Sequence, residues 1–292
     1  MEYFDLHCDT LYKATVNNSS FQDETNHISI NKAEHLSKWT QLFAVFIPDE
    51  IRGKNATNFF NKAVGVFKNN RINNEKINML LAVENASMLA GDLSNISLLI
   101  ENKVRSVTLT WNGENELGSG AMCKRDIGLT SFGKEVVKML EENNIAVDVS
   151  HASDKLFYDV VKIAKKPVIA THSNSRTVTD VKRNLTDEQF KIIRDMGGIV
   201  GINFYKGFLN NDEDEARIDD IIRHTEHFLN LSGENTIAIG SDFDGADMPS
   251  DICDLTSIFA IYQRFLSEFD VNITKKIFYD NANMYFTSFD II

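Results

Sequence analysis

The chain is 292 residues long, 43% hydrophobic and 25% charged, with a net charge of −12 at neutral pH. That length accommodates one large α/β barrel or two ordinary domains, and no run approaches the roughly 18 apolar residues that mark a membrane span. The acidic balance argues against nucleic acid or an anionic membrane as a partner, and three scattered cysteines, Cys8, Cys123 and Cys253, exclude a disulfide framework and suit a reducing cytoplasm.

Eight short apolar runs follow one another along the chain, at 3–7, 42–47, 77–84, 104–111, 145–151, 167–172, 197–204 and 235–244. Between them lie amphipathic helical segments at 54–70, 131–143, 153–165, 187–196, 214–231 and 251–268, with a last one near 273–284. Thr186 followed by Gln189 forms a capping-box signature at the start of the 187–196 helix. Regular strand and helix alternation predicts parallel strands joined by crossover helices. Eight such units fit an α/β fold of the (β/α)8 TIM type. An open doubly wound sheet would carry a glycine-rich loop after its first strand, and "HCDTLYKAT" contains no glycine. No repeat or Pro/Gly/Ser-rich linker divides the chain, which predicts one domain over 1–292.

In such a barrel, chemistry sits at the C-terminal ends of the strands. The residues closing the runs are His7 and Asp9, Glu84, Trp111, His151, His172 and Asp242. Strand alternation points His7 and Asp9 the same way and Cys8 the other. Alone, His-x-Asp is weak evidence. With His151, His172 and Glu84 at other strand ends, it predicts a metal site built from imidazoles and carboxylates. Glu84 in an otherwise apolar strand either bridges two metals or pairs with a barrel cation. Asp242, in "IGSDFDG", suits a general base, whereas Asp244 suits a turn. Arg183, from position alone, reads as a solvated surface arginine, although an arginine there could clamp a substrate carboxylate. His224 and His227 share a helical spacing but precede the eighth strand, outside the barrel. The acidic run at 210–220 reads as a solvated helix start.

"FDLHCDT", "LAVENA", "GLTSFGKEVVKMLEENNIAVDVSHAS", "PVIATHSNSR", "RNLTDEQFKIIRDMGGIVGINFY" and "IGSDFDG", in this order, closely resemble the membrane (renal) dipeptidase family of zinc peptidases. The resemblance implies a barrel of the metal-dependent amidohydrolase type with two zinc ions per chain, often as a homodimer. It implies that His7 and Asp9 hold one zinc, His151 and His172 the other, and that Glu84 bridges them. It further implies that Asp242 handles the proton and that Arg183 binds the dipeptide's terminal carboxylate. Two positions depart from the family pattern. Trp111 stands where a histidine usually contacts the substrate carbonyl, and an indole donates one hydrogen bond but carries no charge. Phe208 stands near a substrate-binding tyrosine of some members. The secretion signal and lipid-anchor tail of eukaryotic members have no counterpart, so a cytoplasmic location is expected. The implied activity is hydrolysis of a dipeptide, including one with a D-residue at its C-terminal position. Hydrolysis of another small amide, such as an N-acyl amino acid or a lactam, and metal binding without turnover are the alternatives.

Overall fold

The computed structural model describes residues 1–72 and 74–288. Seven parallel strands form one curled sheet: β1 (Glu2–Cys8), β2 (Lys38–Phe46), β3 (Ile77–Glu84), β4 (Val104–Thr108), β5 (Ala146–Asp148), β6 (Val200–Ile202) and β7 (Ile237–Ile239). Their order is β5-β4-β3-β2-β1-β7-β6. The sixth expected strand, at 167–172, is not a regular strand. It makes two isolated parallel bridges, Asp148 to Ile169 and Ala170 to Val200, which join the edges β5 and β6 and close the ring. Val149 N–H donates to Ile169 O at 2.8 Å on one side, and Gly201 N–H donates to Ala170 O at 2.8 Å on the other. This bridging segment starts at Pro167, which has no N–H to extend the ladder.

Inside the ring, Phe4, Leu6, Leu42, Leu80, Ala82, Ala146, Ile169, Ile199 and Ala238 pack together with Tyr279, Ala282, Tyr285 and Phe286. The last four come from the C-terminal segment, which plugs the N-terminal end of the barrel. There Tyr285 Oη donates to Pro167 O at 2.7 Å, Asn281 Nδ2 donates to Ile237 O at 2.7 Å, and Phe286 stacks on Phe4 with centroids 5.6 Å apart. With one end plugged by apolar rings, the polar interior is confined to the other end. That segment, expected as one helix at 273–284, is a helix at Val271–Lys275, a π-helical turn at Lys276–Asp280 and a helix at Asn281–Ser288.

One irregularity decides which side chains face the mouth. β1 pairs Asp5 with Gln41 and Cys8 with Phe43, so β1 uses three steps where β2 uses two. Phe4 and Leu6 lie in the interior cluster, while Tyr3 and Cys8 lie in the outer one. Unbroken alternation from Phe4 and Leu6 would send Cys8 inward and His7 outward. The bulge reverses the phase, so His7 and Asp9 face the mouth, and Cys8 packs behind the strand with Sγ 3.5 Å from Leu42 O. Asp5 fastens the bulge: its Oδ1 accepts from the N–H groups of His7 (3.2 Å) and Ser241 (2.9 Å), and its Oδ2 from Ser241 Oγ (2.6 Å).

The outer helices fall where periodicity places them, at Lys54–Asn70, Ser131–Glu142, Asp154–Ile163 and Asp187–Asp195, the last with the Thr186/Gln189 capping box formed. Two helices begin later than their sequence pattern suggests. Ile218–Asn230 is preceded by a 3-10 turn at Glu213–Glu215, and Ile258–Glu268 by one at Leu255–Ser257, each turn capped by an aspartate, Asp212 or Asp254. The acidic run is accordingly not all solvated: Asp220 is buried and accepts from Arg217 N–H at 3.0 Å. No helix among the described residues is long and apolar enough to cross a membrane.

Candidate metal centre

The C-terminal ends of the strands surround a cavity of about 680 Å³, and His7, Asp9, Glu84, His151 and His172 converge at its floor, all buried. Glu84 lies at the centre. Its Oε1 is 2.8 Å from His151 Nε2 and 3.7 Å from His172 Nε2, and its Oε2 is 3.5 Å from His7 Nε2. No lysine or arginine lies within ion-pair distance of it among the described residues; the groups facing it are the three imidazoles. His7 Nε2 is also 3.5 Å from Asp9 Oδ2 and 3.8 Å from Asp242 Oδ1.

Hydrogen bonding fixes the tautomers. Thr171 Oγ1 donates to Asp148 Oδ2 at 2.6 Å, which leaves it to accept from His172 Nδ1 at 2.9 Å. His151 Nδ1 donates to Asn112 Oδ1 at 3.0 Å. Both imidazoles then present bare Nε2 lone pairs, and these face each other at 2.9 Å. His7 Nε2 and Asp9 Oδ1 are buried without a hydrogen-bond partner. Buried lone pairs and carboxylate oxygens turned toward one another repel unless a cation lies among them. The donor set of imidazole nitrogen and carboxylate oxygen is that of zinc sites, and two triads, His7/Glu84/His172 and His7/Asp9/Asp242, place one ligand atom each within 4.8 Å of the others.

Electrostatics favour the ligating form at two of the three imidazoles. Burial, then the charge of Asp9, pushes Glu84 up to about 7. Burial drives His151 and His172 well below the usual imidazole range, reinforced by Arg183 and His7, which keeps both rings in the neutral, ligating form. Burial also pulls His7 down, but Glu84 and Asp9 outweigh it and hold this ring well above its ordinary value.

Asp242 sits at the rim of the centre with φ +63°. Asn203 Nδ2 donates to its Oδ2 at 2.9 Å, which turns Oδ1 toward His7. Gly245 follows in the same turn, where a Cβ would lie 2.0 Å from Asp9 Oδ2 and 2.7 Å from Asp242 Oδ1; only glycine fits. Asp244 does not share the face of Asp242, because the chain has left the strand and Asp244 too has positive φ. It ties down the surrounding loops, accepting from Thr10 Oγ1 (2.6 Å), Lys13 Nζ (3.0 Å) and His27 N–H (2.7 Å).

Arg183 is not a solvated surface residue. It is 6% exposed, its guanidinium lies over the Phe208 ring at 5.2 Å, and its Nε and Nη2 have no partner. Burial lowers it to about 10, which still leaves it charged at neutral pH. A buried guanidinium with two unpartnered nitrogens has the chemistry to pair with an anion. Phe208 and His151, on either side of it, line the main cavity; Arg183 itself lies just behind them. Trp111 lines the cavity, its ring 5.1 Å from Phe46 and 6.2 Å from His151. The loop after it approaches so closely that a Cβ on Gly120 would lie 1.9 Å from Trp111 O.

His224 and His227 take no part. His224 is fully buried between the Ser175 N–H and Leu209 O, and His227 pairs with Asp187 at 2.7 Å. Sequence reasoning missed Asn112, Asp148, Thr171 and Asn203, the residues that orient the imidazoles and Asp242, and Tyr205, which lines the cavity. Asp148 carried a usable signal: like Glu84, it is a carboxylate inside an apolar strand.

The family model of membrane dipeptidases (peptidase family M19) matches residues 67–283. A protein from the pqqA 5′ region of Klebsiella pneumoniae is 34% identical over 189 residues, 62% of this chain and 70% of that one. A Schizosaccharomyces pombe protein named as an uncharacterised dipeptidase is 32% identical over 188 residues, 63% of this chain but only 44% of its own length. Among solved structures, a metallopeptidase called dipeptidase AC superposes with a TM-score of 0.89 at 25% identity, covering 98% of this chain and 97% of that one. A Rhodobacter sphaeroides metallopeptidase, liganded with a phosphinate mimic of the dipeptide L-Ala-D-Ala, superposes with a TM-score of 0.91 at 24% identity over 98% and 99% of the two chains.

Proposed function

The chain belongs to the membrane dipeptidase family, and from that premise we propose that it is a binuclear zinc dipeptidase that hydrolyses the amide bond of a dipeptide. The observation that carries this reading is the pair of bare Nε2 atoms of His151 and His172, 2.9 Å apart beside Glu84, an arrangement that needs a cation. His7 and Asp9 would hold one zinc, His151 and His172 the other, and Glu84 would give one oxygen to each. When bound, zinc supplies Lewis-acid polarisation of the scissile carbonyl and lowers the pKa of water from 15.7 toward ~7.

The chain's own residues do the rest. Asn203 occupies Asp242 Oδ2, so Oδ1 is the atom that takes the proton of the attacking water and returns it to the leaving amine nitrogen. Bond making and breaking balance in this scheme: water adds its oxygen to the carbonyl carbon, the C–N bond breaks, and the proton held by Asp242 ends on the amine. Arg183 supplies the free N–H groups for the terminal carboxylate, a requirement that restricts substrates to short peptides with a free C-terminus. Trp111 borders the scissile carbonyl. The test is a release assay of zinc-loaded protein on L,L- and L,D-dipeptides beside N-acyl amino acids. Dipeptides should be cleaved; release from N-acyl amino acids alone would move the activity to another amide, and no release from any substrate would leave a metal-binding protein.

A further inference from the structure

Three aromatic side chains that the catalytic scheme does not use as a group form one wall of the cavity. Tyr12 and Phe46 meet edge to face with centroids 5.1 Å apart, and Phe46 and Trp111 meet at 5.1 Å and 58°. All three line the cavity and are only half-buried. Phe59 backs Tyr12 at 6.0 Å. The floor and the Asp242 side of the lining carry Asp9, Glu84, Asp242, Asp244, Asp247 and Lys13, and a second, separate aromatic pair, Tyr205 and Phe208 at 4.7 Å, lies on the Arg183 side. An apolar wall left open in such a cavity exposes surface whose burial by a ligand is favourable.

The order of strands around the barrel places this wall. Phe46 closes β2, Tyr12 follows β1 and Trp111 follows β4, whereas Arg183 follows the bridging segment and Phe208 follows β6. In the closed ring β1-β2-β3-β4-β5-bridge-β6-β7, β2 and the bridging segment are four places apart, on opposite sides of the mouth. A dipeptide whose carboxylate lies at Arg183 and whose amide lies over the floor therefore extends its N-terminal residue toward Tyr12, Phe46 and Trp111. We propose that these three rings form the subsite for the side chain of the substrate's N-terminal residue, and that the preferred substrates carry a large apolar or aromatic residue there. This deepens the dipeptidase reading and rests on it. It also gives Trp111 a role that a histidine at that position would fill poorly, because an indole offers a broad apolar face.

The test uses zinc-loaded full-length protein with Phe-Ala, Leu-Ala, Ala-Ala and Ala-Phe. Phe-Ala and Leu-Ala should exceed Ala-Ala in kcat/KM by at least about tenfold, while Ala-Phe shows no such gain. Phe46→Ala and Trp111→Ala should each cut the Phe-Ala to Ala-Ala ratio by about fivefold or more. Equal values for Phe-Ala and Ala-Ala in the parent, or a gain confined to Ala-Phe, would overturn the assignment. A binding measurement separates it from the hydrolytic reading. The chain has two tryptophans; Trp39 is buried, so a ligand in the cavity is reported by Trp111 fluorescence. Phosphinate analogues of Phe-Ala and Ala-Ala are titrated in this way. Binding of the Phe analogue about tenfold tighter or more, in a protein that cleaves no dipeptide, would uphold the subsite and remove the peptidase reading; equal binding would remove the subsite whatever the activity.

Discussion

Replacing Glu84 by Gln should move two properties of the protein in opposite directions. The amide fills the same volume but carries no charge and only one oxygen, so on the bridged two-zinc reading zinc-supplemented variant should retain well below the parent's metal. In metal-stripped protein the change should be stabilising. Burial and Asp9 raise Glu84 from the usual 4.5 to about 7, so the folded state binds its proton more tightly than the unfolded state does. For an acid shifted upward, the folded state is favoured below the unfolded value and loses that advantage as pH rises through the folded one. The gap of about 2.5 pH units, at about 1.4 kcal/mol each, corresponds to about 3.5 kcal/mol lost between pH 4.5 and 7. His7 returns part of it, because its raised value depends on Glu84 and Asp9; about 3.5 kcal/mol is an upper figure. Gln is neutral throughout, so chelator-treated Glu84→Gln should melt above the parent at pH 8, by up to about 5 °C, and alongside it at pH 4.5. Scanning calorimetry of both proteins at the two pH values measures this. A stripped variant that melts at or below the parent at pH 8, or one that keeps the parent's full metal content, would refute the reasoning.

Asp242→Asn should keep its metals and lose on the order of 10² or more in kcat, because the amide accepts the Asn203 contact in the same space but takes no proton; near-normal turnover in metal-loaded variant would assign the proton to another group. Arg183→Met should raise KM for dipeptides by about tenfold or more while the parent discriminates against dipeptide amides to a similar degree; equal KM values for variant and parent would remove the carboxylate contact. Trp111→His should lower kcat/KM on the preferred substrate, since the indole is packed between Phe46 and His151. A variant that outperforms the parent across a whole dipeptide panel would show that the tryptophan is a simple loss.

The strands and most helices were legible because burial imposes period 2 on one and 3.6 on the other. The run at 167–172 was legible as an apolar segment but not as two bridges, since pairing depends on neighbours that periodicity does not describe. His7 and Asp9 were found from their own spacing. That spacing does not reveal the bulge that turns them inward, because the bulge is set by Asp5 reaching Ser241, 236 residues away. Arg183 was misplaced by position alone: its loop folds back beneath Phe208, a tertiary contact with no local signature. Asn112, Asn203 and Thr171 are ordinary polar residues in loops and at strand ends, and only their distances to Asp242, His151 and His172 give them a role.

Metal content tests the central claim most directly. Protein purified without chelator, supplemented with zinc and freed of excess should hold close to two equivalents per chain by elemental analysis, and His172→Ala should reduce this toward one while the His7 and Asp9 position remains filled. A plateau at one equivalent in the parent, with Glu84 intact, would contradict the bridged two-metal centre.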